Sequence, residues 1–383
     1  MHYLYRLRVS GKITPFRQRE DRTGDNMTRS YDLTEGSVSQ HLLRLAAPLI
    51  VGNILQQLYN TADAFILGRF AGSAEFASVG IAGAVMNLFI FMITGACSGI
   101  SVILAQLYGA HDREAFRREH WLALAFGILV TAVCSIVGFL ILPALLRLIR
   151  TPAELTGFVT GYLTIILLSL PATFLYNLYS ALLRSIGRAN AALLALFAAV
   201  SVNLLLDYWF VAKLQWGISG AAWATAASQA FSALLCIIYL RHKTPELLFT
   251  RRDCRMDAAL LRQTAHFSFI TAMHQSSLYI GKLLVQGAVN TGGTEMISAY
   301  TATTRIEGFA NSFADSGAAA ASVVVAQNYG AGKDERVRET FGKSLVLMIC
   351  MGLAMSAIMY VSASASVGFM LGSYSGGAYE KAC

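Results

Sequence analysis

The sequence predicts an all-α polytopic membrane protein. Three observations predict it: a composition too apolar for water, recurrent apolar stretches long enough to cross a bilayer, and a one-sided distribution of basic residues between them. Apolar residues supply 55% of the 383 positions and charged residues only 14%, against roughly 25% charged in an ordinary globular protein. Mean hydropathy is +0.53. So few charges cannot screen that much apolar surface from water, which makes lipid the natural solvent for most of the chain. This composition argues against a soluble enzyme, a disordered chain and a nucleic-acid binder. The net charge of +8 is better explained by loops held on the cytoplasmic side than by a nucleic-acid partner.

The elements follow in order. Residues 1–41 are polar and basic, without the apolar stretch of a secretory signal, and form a cytoplasmic N-terminal segment in which Met27 is an alternative start to Met1. Nine apolar spans come next, at about 42–67, 77–107, 120–142, 157–183, 190–212, 218–240, 266–289, 297–328 and 343–371. Each exceeds the roughly 9 to 11 residues of a barrel strand and suits a helix crossing a hydrocarbon core of about 30 Å. With the N-terminus inside, the inner segments hold 23 of the 30 Lys and Arg residues and the outer ones five, while Lys282 and Arg305 lie within spans. That asymmetry predicts a multi-pass protein of the plasma (inner) membrane with a cytoplasmic N-terminus. The six cysteines show no metal-ligand spacing, and four of them sit inside apolar runs as small hydrophobes.

An internal repeat organises the spans. AQLYGAHDREAFRRE starts at Ala105 and AQNYGAGKDERVRET at Ala326, an offset of 221 residues, and each closes an apolar span ahead of a basic inner loop. The two copies face the same side, so the expected architecture is two parallel six-helix repeats with a substrate path between them. The first repeat occupies 42–240 (helices 1–6), a cytoplasmic loop spans 241–265, and 266–383 holds only about three helices of the second. The repeat offset would start a tenth span near the last residue, so the second repeat is expected to be truncated, with three helices missing.

Ionisable residues inside a membrane cost about 2.5 kcal/mol or more each, so every one requires a partner or a function. Six stand out: Asp63, Asp207, Lys282, Arg305, Glu307 and Asp315. Gln56, Tyr59 and Asn60 precede Asp63 at helical spacings on span one, Asn203 lies one turn from Asp207 on span five, and Thr225 on span six and Tyr162 on span four reach a similar level. All lie on the order of 10 Å below the outer surface by helix rise. Four helices thereby deliver polar groups to one depth, the signature of a hydrated pocket. Its oxygen donors suit a proton or a hard cation such as Na⁺. The competing reading makes the two acids interfacial caps. Pro48 lowers the hydrogen bonding of span one near its inner end, either as an ordinary membrane-helix proline or as a bend that responds to the ion at Asp63. In the second half Glu307, Asn311 and Asp315 form an i, i+4, i+8 stripe, and Lys282 lies at a depth that allows an ion pair with Glu307. The Gly95–Gly99 pair reads as close helix packing. No nucleophile, base and orienter assemble, and no cofactor motif is present, so no enzymatic activity is expected.

The segment DLTEGSVSQHLLRLAAPLIVGNILQQLYNTADAFILGRFAG, VNLLLD on span five, GISGAAWAT on span six and VAQNYGAGK after span eight together resemble the multidrug and toxic compound extrusion (MATE) family from about Asp32 to Lys343. The resemblance implies twelve helices in two lobes and antiport of organic cations or other amphipathic compounds against H⁺ or Na⁺, with membrane lipid as the surrounding solvent. It implies a first-lobe cation site at Asp63, Asn203, Asp207 and Thr225, a bending proline at Pro48, and Tyr162 lining the same lobe. Span seven departs from members that place an acid there, offering His274, Gln275 and Lys282 instead. Two alternatives remain: a flippase of related fold that moves lipid-linked substrates, and a non-transporting remnant or assembly partner. The sequence fixes neither cargo nor oligomeric state.

Overall fold

A computed structural model describes residues 32–371 apart from 72, 149, 150, 291 and 292. The expectations for Met1, Met27, Arg150, Lys381 and Cys383 fall outside the described residues. Among those described, nine long helices follow in order: α1 Val38–Phe70, α2 Ser73–Gly109, α3 Arg113–Leu148, α4 Ala153–Ser185, α5 Ala189–Asp207, α6 Gly217–Lys243, α7 Ala258–Asn290, α8 Gly293–Gly330 and α9 Asp334–Leu371. A π-helical turn, Tyr208–Lys213, continues α5 directly after Asp207. Every predicted span lies within one of these helices or its π-turn. The helices run further than the spans because polar residues at the lipid boundary continue the backbone ladder. The segment between α6 and α7 is consequently shorter than the 241–265 read from charge.

The helix ends are built from local signals. Asp112 caps α3 by accepting the Ala115 amide at 2.9 Å, and Asp257 caps α7 by accepting the amides of Ala259 and Leu260 at 3.1 Å. The two AQxYGA copies close α2 and α8 identically. His111 and Gly332 both take left-handed backbones. Asp112 N–H donates to Leu107 O and His111 N–H to Tyr108 O, as Lys333 does to Asn328 and Gly332 to Tyr329. This is the Schellman arrangement, which satisfies the last carbonyls of a helix.

Among the described residues seven helices are long and apolar enough to cross a membrane: α1 to α6, with α5 counted through its π-turn, and α9. α7 and α8 are longer than a span requires, but polar and ionisable residues such as His266, His274, Lys282, Glu307 and Asp315 dilute them. The largest apolar cluster joins α2, α3, α4, α5 and α6 through residues such as Ile100, Phe116, Leu163, Leu178 and Leu240. Large apolar side chains also cover the outside, as with Leu140 at 76% and Leu205 at 70% exposure. An outer surface of that kind is stable against acyl chains and not against water.

The two halves meet along a seam. α2 packs against α7 and α8, and α1 against α8. A Cβ on Gly95 would lie 2.7 Å from Thr271 O, and one on Gly99 2.7 Å from Phe267 O, so the paired glycines put the α2 and α7 backbones in contact. At the α2–α3 turn the contact is reciprocal. A Cβ on Gly109 would fall 2.0 Å from Gln327 O, and one on Gly330 1.9 Å from Gln106 O. The two glycines, and likewise the two glutamines, lie 221 residues apart, the repeat offset. At the same end, buried Glu119 of α3 accepts the Thr264 hydroxyl of α7 at 2.8 Å.

Candidate functional site

The first half assembles a polar centre where α1, α4, α5 and α6 converge. Asp207 is 0% and Asn203 1% exposed, yet among the described residues no hydrogen-bond donor reaches either Asp207 carboxylate oxygen and neither polar atom of the Asn203 amide has a partner. Asp63 reaches in from α1 to the neighbourhood of Asp207, and among the described residues no donor reaches its buried Oδ1. Tyr59 Oη lies 3.3 Å from Thr225 Oγ1, and the Tyr162 hydroxyl donates to Met86 Sδ at 3.4 Å. Burying carboxylate oxygens and an amide together with no partner among the described residues is costly.

A small cavity extends from this centre toward the AQxYGA end, lined by Gln56, Tyr59, Tyr176, Asn203, Ser228 and Gln229 among others. Gln56, Tyr59 and Asn203 were predicted from sequence. Asn60 is exposed and does not border the cavity, because at three residues from Asp63 its side chain leaves the helix on the flank of the stripe. Pro48 lies within α1, which continues through it without a break.

In the second half Lys282 Nζ lies 3.3 Å from Glu307 Oε1, and the Asn311 amide donates to the same oxygen at 2.9 Å. The predicted ion pair is therefore formed. Asp315 is exposed, with the basic residues Lys282 and His274 nearby. Arg305 lies on α8, with its side chain outside the described ones. Lys282, Glu307 and Asn311 thus form one linked group on α7 and α8.

The MatE family model matches residues 48–209 and 270–373. The chain belongs to the MatE family. The two matched stretches begin 222 residues apart, at 48 and 270, close to the repeat offset read from sequence. Similar proteins include the probable multidrug resistance protein YoeA of Bacillus subtilis (strain 168), 26% identical over 334 residues that cover 85% of this chain and 72% of the relative. The Homo sapiens multidrug and toxin extrusion protein 1 is 26% identical over 339 residues, 86% of this chain and 57% of that one. A solved structure described as the outward-facing conformation of a multidrug resistance MATE family transporter of the MOP superfamily shares the fold. Its TM-score is 0.85 at 23% identity, covering 94% of this chain and 80% of that one. The protein is thus a membrane-embedded member of a multidrug efflux transporter family.

Against this MatE-family background the residues that sequence reading missed are instructive. Tyr176 on α4 and Gln229 and Ser232 on α6 line the cavity. Gln229 follows Thr225 by one helical turn, so extending that stripe would have found it. Tyr176 carries no such signal in an apolar run and is placed by the packing of α4 on α6.

Proposed function

We propose that this MatE-family protein is a secondary active multidrug antiporter that exports organic cations or amphipathic compounds in exchange for H⁺ or Na⁺ by alternating access. The observation that carries the reading is the facing pair Asp63 and Asp207, buried beside the unpartnered Asn203 amide and the Tyr59–Thr225 contact. Two carboxylates in low dielectric repel each other, and a proton or a hard cation between them relieves that repulsion. The proposed ligands are Asp63, Asn203, Asp207 and Thr225, with Gln56, Tyr59 and Tyr162 shaping the pocket. Binding there favours one arrangement of the halves over the other, which is the thermodynamic requirement for coupling. Bending of α1 at Pro48 is the proposed means by which the helix would follow the occupancy of Asp63.

Glu307, Asn311 and Asp315 are assigned to the cargo path of the second half. Over both halves four intramembrane acids (Asp63, Asp207, Glu307, Asp315) outnumber Lys282 and Arg305, which suits cationic cargo. The proposed setting is the plasma (inner) membrane, with the AQxYGA turns and the N-terminus on the cytoplasmic side, where the basic residues concentrate.

The test is ion-driven efflux of a fluorescent organic cation from proteoliposomes under imposed proton or sodium gradients. Asp63→Asn is expected to abolish gradient-driven efflux while membrane insertion and thermal stability stay near those of the parent, and Asp207→Asn to do the same. Efflux at the parent rate in Asp63→Asn sinks the mechanism.

A further inference from the structure

Directly outward of the carboxylate pair the molecule closes with a small apolar cluster. Leu67, Val211 and Ala221 are all at most 1% exposed and pack together, with Val79 against them. Each sits one helical turn from a residue of the centre: Leu67 beyond Asp63 on α1, Val211 beyond Asp207 in the π-turn, and Ala221 ahead of Thr225 on α6. The cluster is therefore a plug between the carboxylates and that end of the bundle.

One side chain fastens the plug. Glu75, in the first turn of α2 and one turn from Val79, accepts the backbone amide of Ile218 at 2.7 Å. Ile218 lies in the first turn of α6, where amides have no helical acceptor and the helix dipole favours an anion. The fit needs a glycine beside it. Gly217 has a φ of +56°, and a Cβ there would lie 2.0 Å from Glu75 Oε2. The loop that Glu75 grips is itself closed: Trp216 N–H donates to Phe210 O at 3.0 Å, and the Phe210 and Trp216 rings stack at 4.9 Å. Glu75 thus ties α2 to the connection between the two helices that carry Asp207 and Thr225.

We propose that Glu75 is a positioning residue for the coupling site: by capping α6 it holds the Leu67–Val211–Ala221 plug over Asp63, Asp207 and Thr225 and sets the access of the coupling ion from that end. The proposal rests on the antiport reading, and it assigns Glu75 no direct contact with the ion. A hydrogen-bonding role and an electrostatic one make different predictions. Glu75→Gln keeps an acceptor for the Ile218 amide and loses the charge, whereas Glu75→Ala loses both. Gly217→Ala pushes the carboxylate away while retaining it.

The experiment compares these three variants with the parent in proteoliposomes by two readouts, amide exchange across residues 208–222 and the ion concentration that half-saturates efflux. Glu75→Ala and Gly217→Ala are expected to speed exchange roughly tenfold and to shift half-saturation by roughly three- to tenfold, the scale of one lost charge-assisted bond only partly transmitted. Glu75→Gln is expected to stay within about twofold of the parent in both. Glu75→Gln as impaired as Glu75→Ala overturns the proposal in favour of ion attraction by charge, and Glu75→Ala with parent-like exchange and half-saturation overturns it outright. Absence of ion-driven efflux in the parent counts against antiport alone, because amide exchange then still decides whether Glu75 holds the plug.

Discussion

Asp253 shows how one side chain orders a loop. Burial pushes its carboxyl up, but hydrogen bonds from the Thr250 amide and hydroxyl and the Arg117 guanidinium outweigh that and hold it below the usual carboxylate range. Arg117 also donates to Glu246 O at 3.4 Å, so α3 of the first half anchors the segment that leads into α7. The acid turns inward while Arg251, Arg252 and Arg255 stay exposed. A depressed folded pKa contributes stability that is complete above the ordinary Asp value and is lost as pH falls through the folded value. Protection of the Thr250 amide from exchange is therefore expected to persist at pH 5 and to fail only below about pH 4. Asp253→Asn weakens the anchor at every pH, and tryptic cleavage after Arg251 or Arg252 at pH 8 should become several-fold faster. An unchanged cleavage rate would show that the loop is held by its apolar contacts alone.

At the scale of the element, the helices pack through absent side chains. The Gly95–Gly99 pair was legible as a packing motif, but its partner was not, because nothing in α2 names Thr271 or Phe267 on a helix more than 160 residues away. The reciprocal contacts at Gly109 and Gly330 are tighter still and involve backbone, which has no rotamer to yield. Gly109→Ala and Gly330→Ala are each expected to destabilise the seam by about 1–3 kcal/mol, the usual cost of overpacking, read as a lower thermal midpoint in detergent. Gly83→Ala is the control. Nothing lies within 4 Å of its added Cβ, so its effect should stay within about 0.5 kcal/mol. Equal midpoints for all three variants would mean that the seam adjusts freely.

Over the whole molecule, the segment before α1 behaves as a strap bound by the opposite half. Leu33 N–H donates to Gln327 Oε1 at 3.3 Å, the Asn328 amide donates to Leu33 O, Lys333 donates to Thr34 O, and Arg336 to Gly36 O. Gln327 also donates to Ser185 O at 2.6 Å, so one fully buried side chain links the strap, α4 and α8. The segment before α7 is held in turn by Arg117 of the first half. Each half's entry is thus gripped by the other. Gln327→Ala leaves the Leu33 amide without its side-chain acceptor and is expected to accelerate its exchange about tenfold, the scale of one net hydrogen bond. Separation of the halves at this end under alternating access should do the same in the parent, and exchange that is insensitive to a transport gradient would argue against movement here.

The sequence by itself determined the class of molecule, the order and span of the helices, and the two turns that close α2 and α8. Those properties depend on composition, on helical spacing and on local backbone signals, all of which are read within a few residues. It also located Asp63, Asn203, Asp207 and Thr225 at one depth, because rise per residue converts position in a helix into depth in a membrane. Only the tertiary structure decided which side of each helix meets which neighbour. It turned Asp63 to face Asp207, left Asn60 exposed, brought Tyr176 and Gln229 to the cavity, and set Glu75 against Ile218, 143 residues later. Helices nearly uniform in apolarity carry almost no amphipathic stripe. Their rotation about their own axes is therefore set by side-chain fit and by glycine contacts between distant segments, which spacing along the chain does not encode.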